Sequence, residues 1–410
     1  VMSRRCDLLV VGGGMVGSAL AALVAEREPD MAIVVVEAKP PAAFEPGGPY
    51  GIRVSAISTA SKRILKASGA WSRIEAARVS PYREMRVWDA AGPAGGHGAI
   101  HFDSAEIGTA DLGHIVENDL IQWGLREQIR ELPSVKWLAP AAIADLAPER
   151  DVTTVSLEDG RRIQARLVVG ADGAGSRTRL LAGSETGGWA YEQHAVVAHV
   201  TTAQPHAEVA RQRFLPTGPL AFLPLADGRC SIVWSTTPDE AAALVAMPEA
   251  DFLARLTEAS DAELGEIQAC GQRASFPLQL RFARRYTAQR FALIGDAAHA
   301  VHPLAGQGVN MGFLDAASLA ETLCQSVETG RDPGDAAVLR RYERWRKGEN
   351  LATLLSCDAI GRLFSNDREL LKVTRRMGLS LVNAAPPLKN QFIRRAMGLV
   401  GDLPRVARTS

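Results

Sequence analysis

Residues 3–26 read SRRCDLLVVGGGMVGSALAALVAE. Two arginines stand before an apolar run from Leu8 to Ala25, so the stretch invites two readings: a segment for export or membrane insertion, or the first element of a globular core. The glycines decide between them. Gly12, Gly14 and Gly17 give the spacing GxGxxG between a β-rich run, Asp7–Val11, and an Ala- and Leu-rich helical run opened by Met15. A bilayer or a signal peptidase has no use for glycines at fixed offsets, whereas a phosphate-binding turn needs each of them. Gly12 permits the tight turn, Gly14 lets the backbone reach a pyrophosphate, and Gly17 lets the helix lie on the strand with its N-terminus facing the phosphates. A second β-rich run, Ile33–Val36, ends at Glu37, placed to accept hydrogen bonds from a ribose. Asp7 interrupts the charged region that an export signal would need, and no small-residue cleavage site precedes Glu26.

Composition narrows the class further. The chain has 410 residues, of which 47% are hydrophobic and 22% charged, and 46 basic residues balance 46 acidic ones. That balance predicts no strong field and no nucleic-acid partner. The five cysteines include no CxxC pair, which argues against a disulfide framework and against a metal site, and a reducing cytoplasm fits them. The last fifty residues depart from neutrality, with ten Lys or Arg against three acids.

The first motif alone fits NAD or FAD. Two later stretches bear on the choice. VVGADGAGSRTR, residues 168–179, runs a strand into Gly170, Asp172 and Gly173. FALIGDAAHAVHPLAGQGVNMG, residues 291–312, runs a strand into Gly295 and Asp296, then a loop with His302, Pro303, Gly306, Gln307 and Gly308, then a helix carrying Asn310. Free backbone N–H groups and a helix N-terminus would meet at one point there and could stabilise negative charge such as a reduced flavin carries.

Together the three motifs resemble those of the FAD-dependent aromatic hydroxylases of the para-hydroxybenzoate hydroxylase type. RVSAISTASKRILKASGAW (53–71), MRVWDA (85–90), LGHIVENDLI (112–121) and RRYERWRK (340–347) resemble the ubiquinone-biosynthesis hydroxylases within that group, as does IRRAMGL with DLP (393–404). The resemblance implies an α/β fold in three parts. A Rossmann-like FAD-binding domain spans 1–75, 101–185 and 280–350; an inserted β-sheet substrate domain spans 76–100 and 186–279; a helical segment spans 351–410. It implies non-covalent FAD, NADPH as co-substrate, and hydroxylation of a polyprenylphenol ring by O2 through a flavin C4a-hydroperoxide. By motif, Glu37 would hold the adenosine ribose, Arg53 and Asn118 would approach the cofactor, Asp172 and its neighbours would help hold it, Asp296 would take the ribityl chain, and Pro303 to Asn310 would wrap the isoalloxazine ring. His302 is the candidate for phenol deprotonation. Another ring position, or another lipid or aromatic substrate, stays open as an alternative.

No second GxGxxG stands ready for NADPH. GPAGGHG, 92–98, lacks a flanking helix and reads as a hairpin loop. Between the second and third motifs, HAVVAHV, LAFLPL and CSIVW alternate like strands and suggest a sheet laid over the flavin, with Phe222, Leu223, Pro224 and Trp234 as candidates for its apolar lining. In the tail, Leu388, Phe392, Ala396 and Leu399 recur at helical spacing beside Lys389, Arg394 and Arg395, a pattern that fits either an interfacial helix touching the inner membrane or a helix packed on the core. A homo-oligomer and a ubiquinone-biosynthesis complex are expected partners on the same resemblance.

Overall fold

The computed structural model describes residues 4–40, 43–96, 98–300, 307–364, 378 and 380–408. Arg4–Val11 is a strand whose Leu8, Leu9 and Val10 are fully buried. It pairs in parallel with Ile33–Val36 on one side and Arg162–Gly170 on the other. Val135–Leu138 and Phe291–Leu293 extend the parallel set outward. Thr287–Ala288, Thr153–Leu157 and Ile143–Pro148 complete an eight-stranded sheet as antiparallel additions. Parallel strands covered on both faces read as unbroken apolar runs, which is why LLVV and IVVV show no alternation.

The helix Met15–Arg27 answers the opening ambiguity. Every residue from Gly17 to Ala25 is buried. It lies among the sheet and the helices Asn118–Arg130 and Gln307–Glu328, and a helix enclosed on all sides is apolar all round. Among the described residues no helix is long and apolar enough to cross a membrane.

A second sheet has nine strands, running in order His299–Ala300, Ala274–Ala283, Thr186–Thr202, Cys230–Thr236, Gly218–Pro224, Val209–Leu215, Glu84–Asp89 and Ala99–Asp103, with Ile267–Cys270 paired beside Thr186–Thr202. The described residues 92–96 and 98 stand between Glu84–Asp89 and its antiparallel partner Ala99–Asp103. Helices Pro238–Ala246 and Glu249–Ala259 cover one face and enclose a small core of Leu220, Phe222, Ile232, Trp234, Phe252 and Leu256. A three-stranded sheet of Val54–Ser58, Gly113–Glu117 and Ser80–Tyr82 joins the two halves.

The C-terminal helix Pro386–Ala396 packs by residues that only partly coincide with the stripe read in the sequence, of which Leu399 joins the packed cluster. Ile393 and the following Met397 are buried against Leu112, and Lys389 reaches Glu106 Oε1 at 2.6 Å. Leu388 and Phe392 are left 41% and 48% exposed.

Candidate active site

The first glycine corner can be read atom by atom. Gly12 has φ +105°, and a Cβ there would stand 2.4 Å from the Ala171 carbonyl oxygen. A Cβ on Gly17 would stand 2.0 Å from the Gly12 oxygen, so the helix rests directly on the turn. At Gly14 no atom lies within 4 Å of where a Cβ would be. Side chains are therefore excluded at Gly12 and Gly17 by the protein itself, and at Gly14 only by whatever the open side of the turn receives. Glu37 reaches back to this turn, its Oε2 accepting from Gly13 N at 2.8 Å and its Oε1 from Lys39 N at 3.0 Å. Met15 opens the helix immediately behind Gly14.

The second and third corners lie against the first. Ala171 N donates to Val11 O at 2.7 Å, and Ile294 N donates to Gly170 O at 3.0 Å. Gly295 and Gly312 both crowd Val16, which sits one residue into the first helix. Three stretches separated by more than a hundred residues each thus meet around one helix N-terminus.

Asp172 spends its carboxylate within its own turn, where Oδ1 accepts from Ser176 and Oδ2 from Thr178 N at 2.9 Å. Gly173, at φ +77°, carries the chain round that turn with open space beside it. Arg179 is buried and braces the corner from beneath, donating to the Ala297 and Ala174 carbonyls at 2.8 and 2.9 Å. Asp296 is exposed at this corner, with His299 and Arg53 near enough for their charges to favour its carboxylate form. The Arg53 guanidinium also lies 5.5 Å from the Phe276 ring centroid.

Arg53 is held by its backbone. Its carbonyl accepts from Asn118 N at 3.0 Å, and Asn118 Oδ1 accepts from Ser55 Oγ at 2.6 Å. The neighbouring Glu117 is buried, ion-paired to Arg78 at 2.5 Å, and accepts from Gly51 N at 2.7 Å, which clamps the loop leading into Arg53. Asn310 uses its amide as a bridge, its Oδ1 accepting from Ser58 N at 3.0 Å and its Nδ2 donating to Ala56 O at 2.8 Å. Gln307 and Gly308 begin the same helix. His302, Pro303 and Gly306 lie outside the described residues.

A network that sequence reading missed anchors this helix. Asp315 is wholly buried, and its carboxylate accepts from Gly295 N at 3.1 Å, Arg346 Nε at 3.0 Å and Asn350 Nδ2 at 2.9 Å, with His299 Nε2 at 2.5 Å. Burial alone would raise its pKa; His299, Arg346 and Asn350 overcome that and hold it down at about 2. The available signal was an acid set directly among Phe313, Leu314, Ala316 and Ala317, since a charge so placed needs partners from elsewhere in the fold.

Beside Asn310 and Gln307 opens a cavity of about 120 Å³, bounded by the three-stranded sheet, the uncovered face of the nine-stranded sheet and the C-terminal helix at Ala396. Leu223, Ala221 and Val233 face it. Phe222 and Trp234 are one residue out of phase and point the other way, into the core beneath the two covering helices, and Pro224 falls on the Phe222 side of the strand. Of the four candidates for the lining, only Leu223 reaches the cavity.

FAD fits the three corners: glycines at the places where a Cβ would collide, open space at Gly14, and a carboxylate at the end of the second strand. The arrangement is an FAD-binding site, and together with the chain's relatives it makes the chain an FAD-dependent aromatic-ring monooxygenase. Comparison with known proteins supplies the family. The model of the FAD binding domain family matches residues 5–350. The ubiquinone hydroxylase UbiL of Rhodospirillum rubrum is 39% identical over 408 residues, covering 99% of this chain and 93% of that one. The human mitochondrial ubiquinone biosynthesis monooxygenase COQ6 is 38% identical, covering 94% and 91%. The Escherichia coli 3-demethoxyubiquinol 3-hydroxylase is 35% identical, covering 97% and 100%. Among solved structures, p-nitrophenol 4-monooxygenase PnpA of Pseudomonas putida DLL-E4 shares the fold with a TM-score of 0.77 at 18% identity, covering 97% of this chain and 99% of that one. The chain belongs to the FAD binding domain family, and within it to the ubiquinone-biosynthesis hydroxylases.

Proposed function

We propose that this protein hydroxylates the aromatic ring of a polyprenylphenol intermediate of ubiquinone biosynthesis, of the 2-octaprenylphenol type, using NADPH and O2. The observation that carries the reading is the cavity next to Asn310. Met85, Ile115, Ala210, Pro219, Ala221, Leu223 and Val233 make it mainly apolar. The charged side chain among its described lining residues, Arg211, turns its guanidinium to the carbonyls of His206 and Val209, both at 3.0 Å. A ring bearing a carboxylate would lose its hydration there without gaining a countercharge, whereas an alkylated phenol would not.

Bound FAD supplies the redox and oxygen-activating chemistry. The protein's own part is placement. The glycine corners and Glu37 hold the adenosine diphosphate half, Arg53 and Asp296 flank the crevice between the sheets, and the apolar walls exclude water from the reacting ring. NADPH is a transient visitor in this reading, without a domain of its own. The eight-stranded sheet with its helices then serves as the FAD-binding part and the nine-stranded sheet as the substrate part.

We further propose that Pro386–Ala396 rests on an anionic membrane surface. Its exposed Leu388 and Phe392 stand beside exposed Arg394 and Arg395, and its last residue, Ala396, borders the cavity. A prenyl tail leaving the cavity on that side would enter lipid. The enzymatic test is turnover of a prenylated phenol by FAD-loaded protein with NADPH under air. The expected product gains one oxygen atom, and its ring position is then read by NMR. NADPH oxidation that proceeds at the same rate without phenol and yields no hydroxylated product would overturn the assignment.

A further inference from the structure

On the nine-stranded-sheet side of the cavity, two polar side chains have no hydrogen-bond partner among the described residues. Gln212 is 7% exposed, and its amide makes no hydrogen bond with another described residue. Ser235 is 1% exposed and its Oγ is likewise unpartnered. Both belong to the inner face of the nine-stranded sheet. Gln212 is cross-strand neighbour to Ala221, which is neighbour to Val233, and Ser235 follows two residues along the same face. Folded proteins rarely leave buried amides and hydroxyls unsatisfied, because each costs about 1–3 kcal/mol in lost hydration. Ser235 Oγ bears that cost, while the Gln212 amide keeps its hydrogen-bonding groups accessible to the cavity, in a wall otherwise made of apolar side chains and Arg211.

Neither residue is needed to hold the sheet. The strands are joined by their backbones; of the adjacent side chains, Arg211 bonds the His206 and Val209 carbonyls, and Arg213 reaches the covering layer on the opposite face at the Ala259 carbonyl, 3.0 Å away. Gln212 can accept from a phenolic O–H through its carbonyl oxygen or donate to a ring oxygen through its amide, and it carries no charge that would demand an ionised ligand. Tyr82, on the opposite side of the cavity, presents a phenol that burial keeps protonated.

We infer that Gln212 is the hydrogen-bonding anchor for the ring hydroxyl of the substrate, and that Ser235 is a second polar contact for the same ring. This rests on the proposed phenol substrate and specifies what orients it. With the hydroxyl fixed to the sheet, the ring can present only a limited arc of its edge toward the helix that starts at Gln307, so Gln212 would determine which carbon is hydroxylated. Buried water could satisfy the same amide, and the experiment separates the two roles.

The test compares two ligands on FAD-loaded protein, a phenol carrying one prenyl group and the prenylbenzene that lacks the hydroxyl, with binding read from the flavin absorbance. Gln212→Met keeps the length and volume of the side chain and removes its hydrogen bonding. The expected result is a loss of roughly three- to tenfold in affinity for the phenol, the worth of one neutral hydrogen bond, with the deoxy ligand unchanged. Equal loss on both ligands, or on neither, would overturn the inference. Ser235→Ala gives a second measurement that takes no hydrogen bond from the protein, and a smaller loss confined to the phenol is expected. A phenol that wild-type protein neither binds nor hydroxylates would defeat the substrate reading itself. Turnover by wild type with no ligand discrimination in either variant would defeat only the anchor.

Discussion

Two glycines five ångströms or so apart along one turn should behave in opposite ways when each receives a methyl group (about 1.5 Å of rise per helical residue). Gly14 has φ −69°, an angle any residue adopts, and its Cβ would meet nothing within 4 Å. For protein without FAD, Gly14→Ala gains from a stiffer unfolded chain and loses from a poorer helix cap; each effect is under about 1 kcal/mol and they oppose one another. Its melting temperature should therefore match wild type. The same methyl projects into the space where the turn would receive the pyrophosphate. Losing one charge-assisted hydrogen bond there costs about 1.5–3 kcal/mol, roughly ten- to a hundredfold in Kd. Gly17→Ala places its methyl 2.0 Å from the Gly12 oxygen and must push helix from strand, at a cost of about 1–3 kcal/mol or more in the fold itself. Calorimetry on stripped protein and FAD titration by fluorescence quenching measure the two quantities independently. The reasoning is refuted if Gly14→Ala melts as low as Gly17→Ala, or if it binds FAD as tightly as wild type.

Asp315→Asn should cost about 3–5 kcal/mol by leaving Arg346 without its buried carboxylate. The folded pKa of Asp315 is depressed from 3.8 to about 2, so its contribution is complete above pH 4 and fades as pH falls toward 2; the gap in urea midpoint between wild type and variant should narrow over that window. Phe222→Ala should lower stability by about 3–5 kcal/mol, while Leu223→Ala should leave the melting temperature near wild type and weaken prenylphenol binding, a contrast that thermal melts and ligand titration reveal. Leu388→Ser combined with Phe392→Ser should reduce recovery with floated anionic vesicles at an unchanged melting temperature, and undiminished recovery would remove the membrane proposal.

Much of the cofactor site was legible because each glycine answers a local demand that the chain carries with it: a positive φ at Gly12, a contact at Gly17. The sheet over the crevice was legible as strands but not as faces. LAFLPL and CSIVW are apolar on both sides because one side meets two covering helices and the other lines the cavity, so alternation gives a period without a direction. That is why Phe222 and Trp234 looked as eligible as Leu223, and why Gln212 drew no notice between two arginines. The C-terminal helix shows the same ambiguity of face. Its apolar residues occupy more of its circumference than one contact can use, and the contact falls on Ile393 and Met397 rather than on Leu388 and Phe392. Asp315 was hidden for a different reason, since its partners lie 16 to 35 residues away and only the folded chain assembles them.

The doubly used amide of Asn310 has a mechanical meaning. Strand Val54–Ser58 forms one side of the cavity, and the helix beginning at Gln307 belongs to the motif proposed to hold the flavin. Because a single side chain is riveted to the strand at both Ala56 and Ser58, neither element can slide without dragging the other. If the flavin and the phenol bind as proposed, the floor of one and the ceiling of the other would be one bracket, with their spacing set during folding rather than at each turnover.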